Sequence, residues 1–387
     1  MPVTAPDVRD WPAPTWLRLV AFALLSRVVV VAAGLALAPR AAEPHWAAEQ
    51  VVLRQDILAG PVPWLEPWVR FDAAFYLAIA RDGYRAPAPG EWPRTGFLPL
   101  LPVCIATAAA AGVDPVLAGV LIPNLAFTVG LACAGRAALR ATGNARTAWL
   151  GCGVLITFPT AFYFSAPYQE SLYLLAAAGA LLAWYDRRPV VAGLAGLAAA
   201  LARLTAVALP VGLFAEALGR RAWPAPGAWV VVAGTAAGGG LFMAYLGYAL
   251  GDPMAHFHAH TAWGRESPTA LGVVKSLMQG CYELVRPNPA FQVVKPLALF
   301  GTLALGVRGW GRRGPLWGCL ILIPVVQALS TGTTLSIERI VLTSFPAAFE
   351  LGELLGRSRM MRVAWLVVAL PAQGFFLWLF VNNGFVN

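Results

Sequence analysis

Charged residues are scarce in this sequence. They make up 12% of its 387 residues, while 59% of the residues are hydrophobic, and a soluble domain carries about 25% charged residues. So few charges cannot cover the surface of a water-soluble protein of this length. The composition therefore excludes a soluble protein and predicts an all-α polytopic membrane protein.

Lysine is nearly absent. Of the 28 basic residues only Lys275 and Lys295 are lysine, and the net charge is +9. A positive balance can indicate nucleic acid binding, but the arginines fall between apolar runs and form no basic face or tail. Orientation of the chain in a bilayer explains them better. We expect membrane lipids around the chain and no nucleic acid partner.

Paired cysteines are missing as well. The five cysteines are Cys104, Cys133, Cys152, Cys281 and Cys319. They show no CxxC motif and no paired spacing, and four of the five lie in apolar runs. Isolated cysteines in apolar runs are typical small core residues. The sequence predicts neither a disulfide framework nor a cysteine metal site.

Apolar runs are what the sequence has in quantity. Crossing about 30 Å of hydrocarbon takes about 20 apolar residues in a helix. Runs that approach or exceed this length lie at 17–38, 115–139, 146–163, 169–185, 189–219, 227–250, 290–307, 314–330, 337–356 and 362–383. The run 189–219 is long enough for two short helices. We predict about 10 to 12 spans in a single domain, residues 1–387.

For two apolar segments the sequence allows more than one interpretation. The stretch 97–113 is apolar but contains Pro99 and Pro102, and a full crossing here would put the later arginine cluster at Arg136 on the wrong side. We predict that it is re-entrant or broken. The first run could also be a secretory signal, but Arg27 interrupts it, which favours a retained first span.

Arginine clusters sort the loops between the spans. Loops rich in arginine face the cytoplasm, which places the loops around Arg9, Arg136, Arg187, Arg220, Arg308 and Arg357 inside. The remaining loops then face out. They are the first outer loop (39–96), the turn 165–171, the region around Arg203, the second outer loop (251–289) and the segment 331–339.

The first outer loop contains a charged aromatic segment, WVRFDAAFYLAIARDGY at 68–84. Read as a helix, it places Trp68, Phe71 and Phe75 on one stripe, with Asp72 on a neighbouring face. We predict an amphipathic helix along the membrane surface that presents Asp72 at the bilayer boundary. The alternative is an interfacial helix whose Asp72 only pairs with Arg70 or caps the helix.

Further ionisable residues interrupt apolar stretches on the same side. Glu170 lies between two spans, Arg203 interrupts another, and Glu338 with Arg339 lies at the start of the run 337–356. An ionisable group at membrane depth costs about 2.5 to 3.5 kcal/mol. Each could be a structural ion pair, but together they predict a shared polar cavity.

Six motifs resemble one known family. They are the pattern Trp68, Asp72, Tyr76, Ile79, Ala80, Gly83 and Tyr84, then GFLPLLP at 96–102, PYQESLY at 167–173, ALARLTAVAL around Arg203, GDPMAHFHAHTAWGRE at 251–266 and SIERIVLTSFPAAFELG at 336–352. In this order they resemble GPI mannosyltransferase 2 (the PIG-V type) and its bacterial relatives, which have the GT-C glycosyltransferase fold. The sequence departs from that pattern at Phe71, Gln169, His260 and Ile340.

The resemblance implies a reaction and roles for residues. The expected reaction moves mannose from polyprenyl-phosphate-mannose to a glycolipid, glycan or protein acceptor on the extracytoplasmic face of the cell membrane, with inversion. Asp72 would be the general base. Arg203 and Arg339 would hold the leaving phosphate, with Arg70 as a third candidate. The substrate-binding candidates are Glu170, Tyr76, Tyr84, Trp263, His260 and Glu338.

The predicted roles have alternatives. Arg203 could simply pair with Glu170 and hold spans together. As a strand, HFHAH at 256–260 would form a zinc triad; as a helix, only His256 and His260 would meet. Enzymes that the chain resembles need no metal, so we expect no cofactor. A transporter or flippase of lipid-linked sugars, or a catalytically silent subunit, would also need a polar cavity.

Overall fold

The computed structural model describes residues 13–38, 61–88, 91–286 and 293–382. The predicted first outer loop is therefore described from residue 61 onward without 89–90, and the second up to residue 286. No strand occurs within these ranges. The helices in chain order are α1 Ala13–Leu37, α2 Asp72–Asp82, α3 Leu100–Ala110, α4 Pro115–Thr142, α5 Ala145–Thr157, α6 Glu170–Tyr185, α7 Pro189–Ala202, α8 Ala208–Gly219, α9 Pro226–Leu250, α10 Ala255–Ala259, α11 Ala270–Val285, α12 Val294–Arg313, α13 Pro315–Leu329, α14 Ile337–Ile340, α15 Pro346–Leu355 and α16 Arg359–Val381.

Four of the described helices are long and apolar enough to cross a membrane by themselves. These segments are Thr15–Leu37, Pro115–Thr142, Pro226–Leu250 and Arg359–Val381. Other apolar helices have only 10 to 17 residues, among them α3, α6, α7 and α13. Many of the 10 to 12 spans predicted from apolar runs are therefore not continuous helices of full length.

Helix α3 begins after Pro99 and has 11 residues, or about 16 Å. It is too short to cross the bilayer, which confirms that 97–113 is not a complete span. The run 189–219 divides, as the sequence allowed, into α7 and α8. Between them Arg203 is extended, with φ −153° and ψ 141°, and a tight turn covers Leu204–Val207.

The run 337–356, predicted as one span, is broken as well. It forms the single-turn helix α14, a turn at Val341–Thr343 and then α15. Ser344 leaves the helical region with φ −81° and ψ 42°, and Pro346 at the start of α15 lacks the N–H that a continuous helix would use. The break leaves polar residues of 336–344 within the protein.

The core is a series of closely packed helices in which α4 packs on α6, α6 on α7 and α7 on α9. At the α4–α6 contact a Cβ placed on Gly130 would lie 2.8 Å from the backbone nitrogen of Leu175. Only glycine permits this approach. It brings α6, with Glu170 at its start, against the longest helix of the fold.

Arginines and carboxylates also pair at the other end of α6. Asp186, which follows α6, lies 3.2 Å from Arg140 and 3.9 Å from Arg136. Arg308 and Arg313 likewise pair with Glu350. Glu170 and Asp186 bound the two ends of one helix, so the charged groups form two layers separated by the length of α6.

The helix predicted in the first outer loop is present as α2, but its surroundings differ from the expectation. All residues from Ala73 to Ile79 are buried, so protein rather than the membrane interface surrounds it. An exposed apolar face is found instead on α11, as it is on several of the long apolar helices. There Leu271, Val274 and Met278 are exposed while Gly272 and Ser276 are buried.

Candidate active site

Four charged side chains from distant parts of the chain meet in one group, which we call the Asp72–Arg339 group (Asp72, Glu170, Arg203 and Arg339). Arg339 Nη1 donates a hydrogen bond to Asp72 Oδ2 at 2.5 Å. Arg203 Nη1 donates to Glu170 Oε1 at 2.6 Å. Arg339 Nε lies 3.4 Å from the same Glu170 oxygen. Glu170 therefore links the two arginines.

Helix ends position these side chains. Asp72 and Glu170 occupy the first turns of α2 and α6, where the helix dipole favours a negative charge. Arg203 follows the last residue of α7, where the dipole favours a cation. The breaks in the apolar runs thus place charged groups where backbone dipoles stabilise them.

Backbone strain lies beside the group. Phe71 has φ 50° directly before Asp72, and Ser336 has φ 60° directly before α14, which carries Arg339. Positive φ is unfavourable for residues with a Cβ and is found where the surrounding structure imposes it, often at functional sites. Both segments that form the Asp72–Arg339 contact are held in such a conformation.

Tyrosines form one wall of the group. The Arg339 guanidinium lies 5.2 Å from the ring centre of Tyr168 and 5.8 Å from that of Tyr163, within the range of a cation–π contact. The Tyr168 hydroxyl donates to the Arg70 carbonyl at 3.0 Å. The wall therefore connects the 163–168 turn to the residues just before Asp72.

Tyr76 lies one turn after Asp72, so both side chains face the same way. Burial raises the pKa of Tyr76, and the Asp72 and Glu170 carboxylates raise it further. Its hydroxyl makes no hydrogen bond with the residues that the structure describes. Tyr76 thus remains a neutral phenol that can bond a bound molecule.

The other predicted motifs pack around the group. Gln169 donates through Nε2 to the Leu98 carbonyl and accepts from Leu101 N at 3.3 Å. This contact ties GFLPLLP to the start of α6. Gln169 stands where the resembled family has serine, and its longer side chain makes the connection.

Tyr84 and Trp263 are farther out. The Tyr84 hydroxyl donates to the Phe97 carbonyl at 2.7 Å. The Trp263 ring packs against Gly96, where a Cβ would come within 2.8 Å of it, and against the Phe97 ring at 5.6 Å. Phe97 in turn contacts Tyr76 at 5.3 Å. The two predicted stacking residues therefore reach the group through Phe97.

Arg70 is not part of the group. Its guanidinium donates to both carboxylate oxygens and the carbonyl of Glu66, and twice to the Val381 carbonyl at the end of α16. All five N–H donors of this arginine are used, and Arg70 is buried. The structure does not support the predicted phosphate contact of Arg70 and gives it a structural role, because no donor remains free.

Glu338 directly precedes Arg339 in the chain and is 2% exposed. Both of its carboxylate oxygens lack a hydrogen-bond partner among the described residues. Burial raises the pKa of the Glu338 carboxyl to about 7, while Lys295 and Arg339 oppose this shift. A direct substrate contact would require its exposure.

The histidine run is helical, in α10 and the turn His260–Trp263, so the zinc triad expected for a strand does not form. His256 Nδ1 lies 2.8 Å from the Thr95 carbonyl, and His260 Nε2 lies 3.4 Å from His256 Nε2. His258 faces Asp252 at 2.8 Å. Burial lowers the pKa of His260 to about 3. The described residues include no cluster of three metal-binding side chains.

One residue near the Asp72–Arg339 group was not among the site residues predicted from the sequence. Arg265 in the second outer loop is half-buried. Burial is the main cause that lowers the pKa of its guanidinium to about 10, and the positive charges of Arg339 and Arg203 lower this pKa further. Asp72 acts on it in the opposite direction. Arg265 belongs to the motif at 251–266 but was given no role there, because only the folded loop brings it close to the others.

Comparison with known proteins identifies the architecture. No model of a protein family matches the sequence, and no curated protein matches it. The apo crystal structure of the oligosaccharyltransferase of Archaeoglobus fulgidus is similar to this chain, with a TM-score of 0.50 and 13% identity over 95% of this chain and 56% of that one. The same enzyme with an inhibitory peptide and a dolichol-phosphate gives a TM-score of 0.47 at 13% identity, over 96% and 56% of the two chains.

This chain thus spans about half the length of the oligosaccharyltransferase, 56%. The likeness extends over nearly all of this chain, and at such low identity it concerns the fold. Four helices of spanning length and the absence of strands from the described ranges agree with it. The chain is therefore a membrane protein with the GT-C glycosyltransferase fold.

Proposed function

We propose that this protein is a membrane glycosyltransferase that moves mannose from polyprenyl-phosphate-mannose to an acceptor hydroxyl on the extracytoplasmic face of the cell membrane. The observation that carries this proposal is the contact between Asp72 and Arg339, which are 267 positions apart in the sequence. It joins a candidate base to a candidate phosphate ligand. The GT-C fold supports transfer of a sugar, and the motif resemblance supports mannose and the lipid phosphate.

The reaction is a single displacement with inversion. The acceptor oxygen attacks the anomeric carbon, its proton moves to Asp72, and the bond between that carbon and the phosphate oxygen breaks. The electron pair leaves with the lipid phosphate. Oδ2 of Asp72 is bonded to Arg339, while Oδ1 makes no hydrogen bond with the described residues and is the oxygen that can receive the proton.

Arg339 couples the two halves of the reaction. In the structure the Arg339 guanidinium occupies Oδ2 of Asp72. When a donor phosphate binds, Arg339 can turn from Asp72 to the phosphate, which frees the base and stabilises the charge that develops on the leaving group. Arg203 stays paired with Glu170, and its positive charge adds to the stabilisation of the leaving phosphate.

The remaining predicted residues fit the sugar and the acceptor. Tyr76 offers a free hydroxyl beside Asp72, and Trp263 with Phe97 offers an aromatic surface for a sugar face. Glu170 orients Arg203 and Arg339 in this scheme. No metal is required, because a phosphodiester donor lacks the diphosphate that a divalent ion would neutralise.

The test is a reconstituted transfer assay. Purified protein is incubated with polyprenyl-phosphate-mannose and a panel of glycolipid, glycan and peptide acceptors, with and without EDTA. Asp72→Asn should lower kcat by about 10²- to 10⁴-fold, as loss of a general base does. Asp82→Asn is the matched control, since Asp82 lies on the same helix and pairs with Arg81 and Arg94 outside the group.

The outcomes separate the functions. Transfer that depends on Asp72 but not on Asp82 supports the proposal. Movement of the lipid-linked sugar across vesicle membranes without a new glycosidic bond would show a flippase instead. Full transfer by Asp72→Asn would remove Asp72 as the base.

A further inference from the structure

The second outer loop brings a third guanidinium towards the Asp72–Arg339 group. The backbone of this loop is tied to the segment before α14. Glu266 N donates to the Thr331 carbonyl at 3.1 Å, and Thr269 N donates to the Ser330 carbonyl at 2.9 Å. Arg265 precedes these contacts, and its own N donates to the His260 carbonyl at 3.3 Å. The loop therefore fixes Arg265 relative to the segment that carries Arg339.

The acidic residues of this loop are engaged elsewhere. Asp252 contacts His258 at 2.8 Å, and Glu266 pairs with Lys275 at 2.9 Å. Glu283 accepts from the Thr334 hydroxyl at 3.0 Å. Within the described chain the Arg265 side chain has neither a hydrogen bond nor an ion pair. Arg265 is thus a half-buried cation without an ion pair to the described residues.

The charges around Arg265 do not balance. Arg203 pairs with Glu170, and Arg339 pairs with Asp72 and Glu170, whereas Arg265 forms no ion pair with the described residues. The charge of one arginine is left over. Partly buried cations that repel one another are stabilised by an anion, so the group is prepared for a ligand with one negative charge.

We propose that Arg265 is the primary binding residue for the phosphate of a lipid-linked sugar, a part the sequence assigned to Arg203 and Arg339. This inference rests on the proposed function for the identity of the ligand. The phosphodiester of such a donor carries one negative charge, which matches the single excess cation. An arginine without a protein partner can also offer its planar fork to two phosphate oxygens.

The experiment measures binding without catalysis. Protein in lipid nanodiscs, without an acceptor, is titrated with undecaprenyl-phosphate-mannose, with undecaprenol and with inorganic phosphate, and binding is followed by native mass spectrometry. Arg265→Gln should weaken binding of undecaprenyl-phosphate-mannose by about 10- to 100-fold, the effect of losing a charged hydrogen-bond donor pair. Arg265→Lys, which keeps the charge but not the fork, should fall between wild type and Arg265→Gln.

Lys275→Gln is the matched control, because it removes a positive charge nearby whose partner is Glu266. It should bind within about 2-fold of wild type, as exposed pairs contribute little. Since Arg265 has no partner in the described chain, its replacement leaves no buried carboxylate unpaired. Unfolding temperatures of both variants check that the fold is kept.

Three results would overturn the proposal. One is Arg265→Gln binding that equals wild type or matches Lys275→Gln. The second is that undecaprenol binds as tightly as the lipid that carries the phosphate. The third is that inorganic phosphate binds as tightly as that lipid, which would exclude a lipid as the source of the bound phosphate. Arg265-dependent binding without any sugar transfer by wild type would leave this inference intact and refute the proposed function.

Discussion

Glu170 is the residue on which Arg203 and Arg339 converge. Its side chain is 1% exposed, and its second oxygen, Oε2, has no hydrogen-bond partner among the described residues. A buried carboxylate between two cations binds them more strongly than surface pairs do, because water does not screen the charges. Its loss would leave two half-buried guanidiniums facing each other.

We expect Glu170→Gln to lower the free energy of unfolding by about 3 to 5 kcal/mol, the usual effect of removing one partner of a buried ion pair. The control is Glu216→Gln, which removes an exposed i,i+4 pair with Arg220 and should change stability by less than about 1 kcal/mol. Chemical denaturation in detergent measures both. Equal effects of the two variants would show that the buried Glu170 ion pairs contribute no more to stability than an exposed pair does.

Glu338 makes stability depend on pH. Its pKa of about 7 in the folded protein lies above the ordinary 4.5, so the folded state binds the proton more tightly than the unfolded state. The contribution is fully present below about pH 4.5 and is lost as the pH rises through 7.

We therefore expect Glu338→Gln, which stays neutral, to match wild type near pH 5 and to exceed it at pH 8 by an amount on the order of 3 kcal/mol. Unfolding temperatures between pH 5 and pH 8 test this. A constant difference between the two proteins across that range would contradict a titrating Glu338.

At the scale of helices, the group is built from helix ends rather than helix faces. Asp72 and Glu170 begin helices, Arg203 follows one, and Arg339 lies in a single turn. Short and broken helices place such ends inside the protein. Close packing of the core helices must then hold the ends in register.

Gly130 tests that packing. A Cβ there would meet the Leu175 backbone at 2.8 Å, whereas one on Gly179 of α6 would meet nothing within 4 Å. We expect Gly130→Ala to lower the free energy of unfolding by about 1 to 3 kcal/mol through overpacking. Gly179→Ala should be neutral or stabilising by up to about 1 kcal/mol through helix propensity. Thermal denaturation measures the stability of both alanine variants. Equal stability of the two variants would show that the α4–α6 contact has room for a methyl group at Gly130.

At the scale of the whole molecule, charged groups form two layers. The Asp72–Arg339 group and the loop with Arg265 lie at one end of α6, and the Asp186 pairs lie at the other. Arginine-rich ends favour the cytoplasm. This arrangement places the candidate active site on the outer face in our proposal.

Cysteine labelling tests the orientation. In a background without the native cysteines, Ser267→Cys in the second outer loop should react with a membrane-impermeant maleimide in intact cells. Ala145→Cys, exposed beside Arg146 at the opposite end, should react only after permeabilisation. The reverse pattern would place the site in the cytoplasm.

Hydropathy and arginine placement were sufficient to predict a helical membrane protein and a broken stretch near Pro99, and to allow two short helices in 189–219. These are local properties, since apolar length and backbone restrictions act within each segment. Of the charged residues that the motifs singled out, Asp72, Glu170, Arg203 and Arg339 do meet, although their roles stay predictions.

Only the tertiary structure decided which charges are paired and which are free. Arg70 sits two residues from Asp72 in the sequence, yet it bonds Glu66 and Val381, while Arg339 crosses 267 positions to reach Asp72. Arg265 lies within the motif at 251–266 that gave it no role, and the folded loop brings it near Arg203 and Arg339. Pairing depends on distances between helix ends that are far apart in the chain, and such distances arise only when the helices pack.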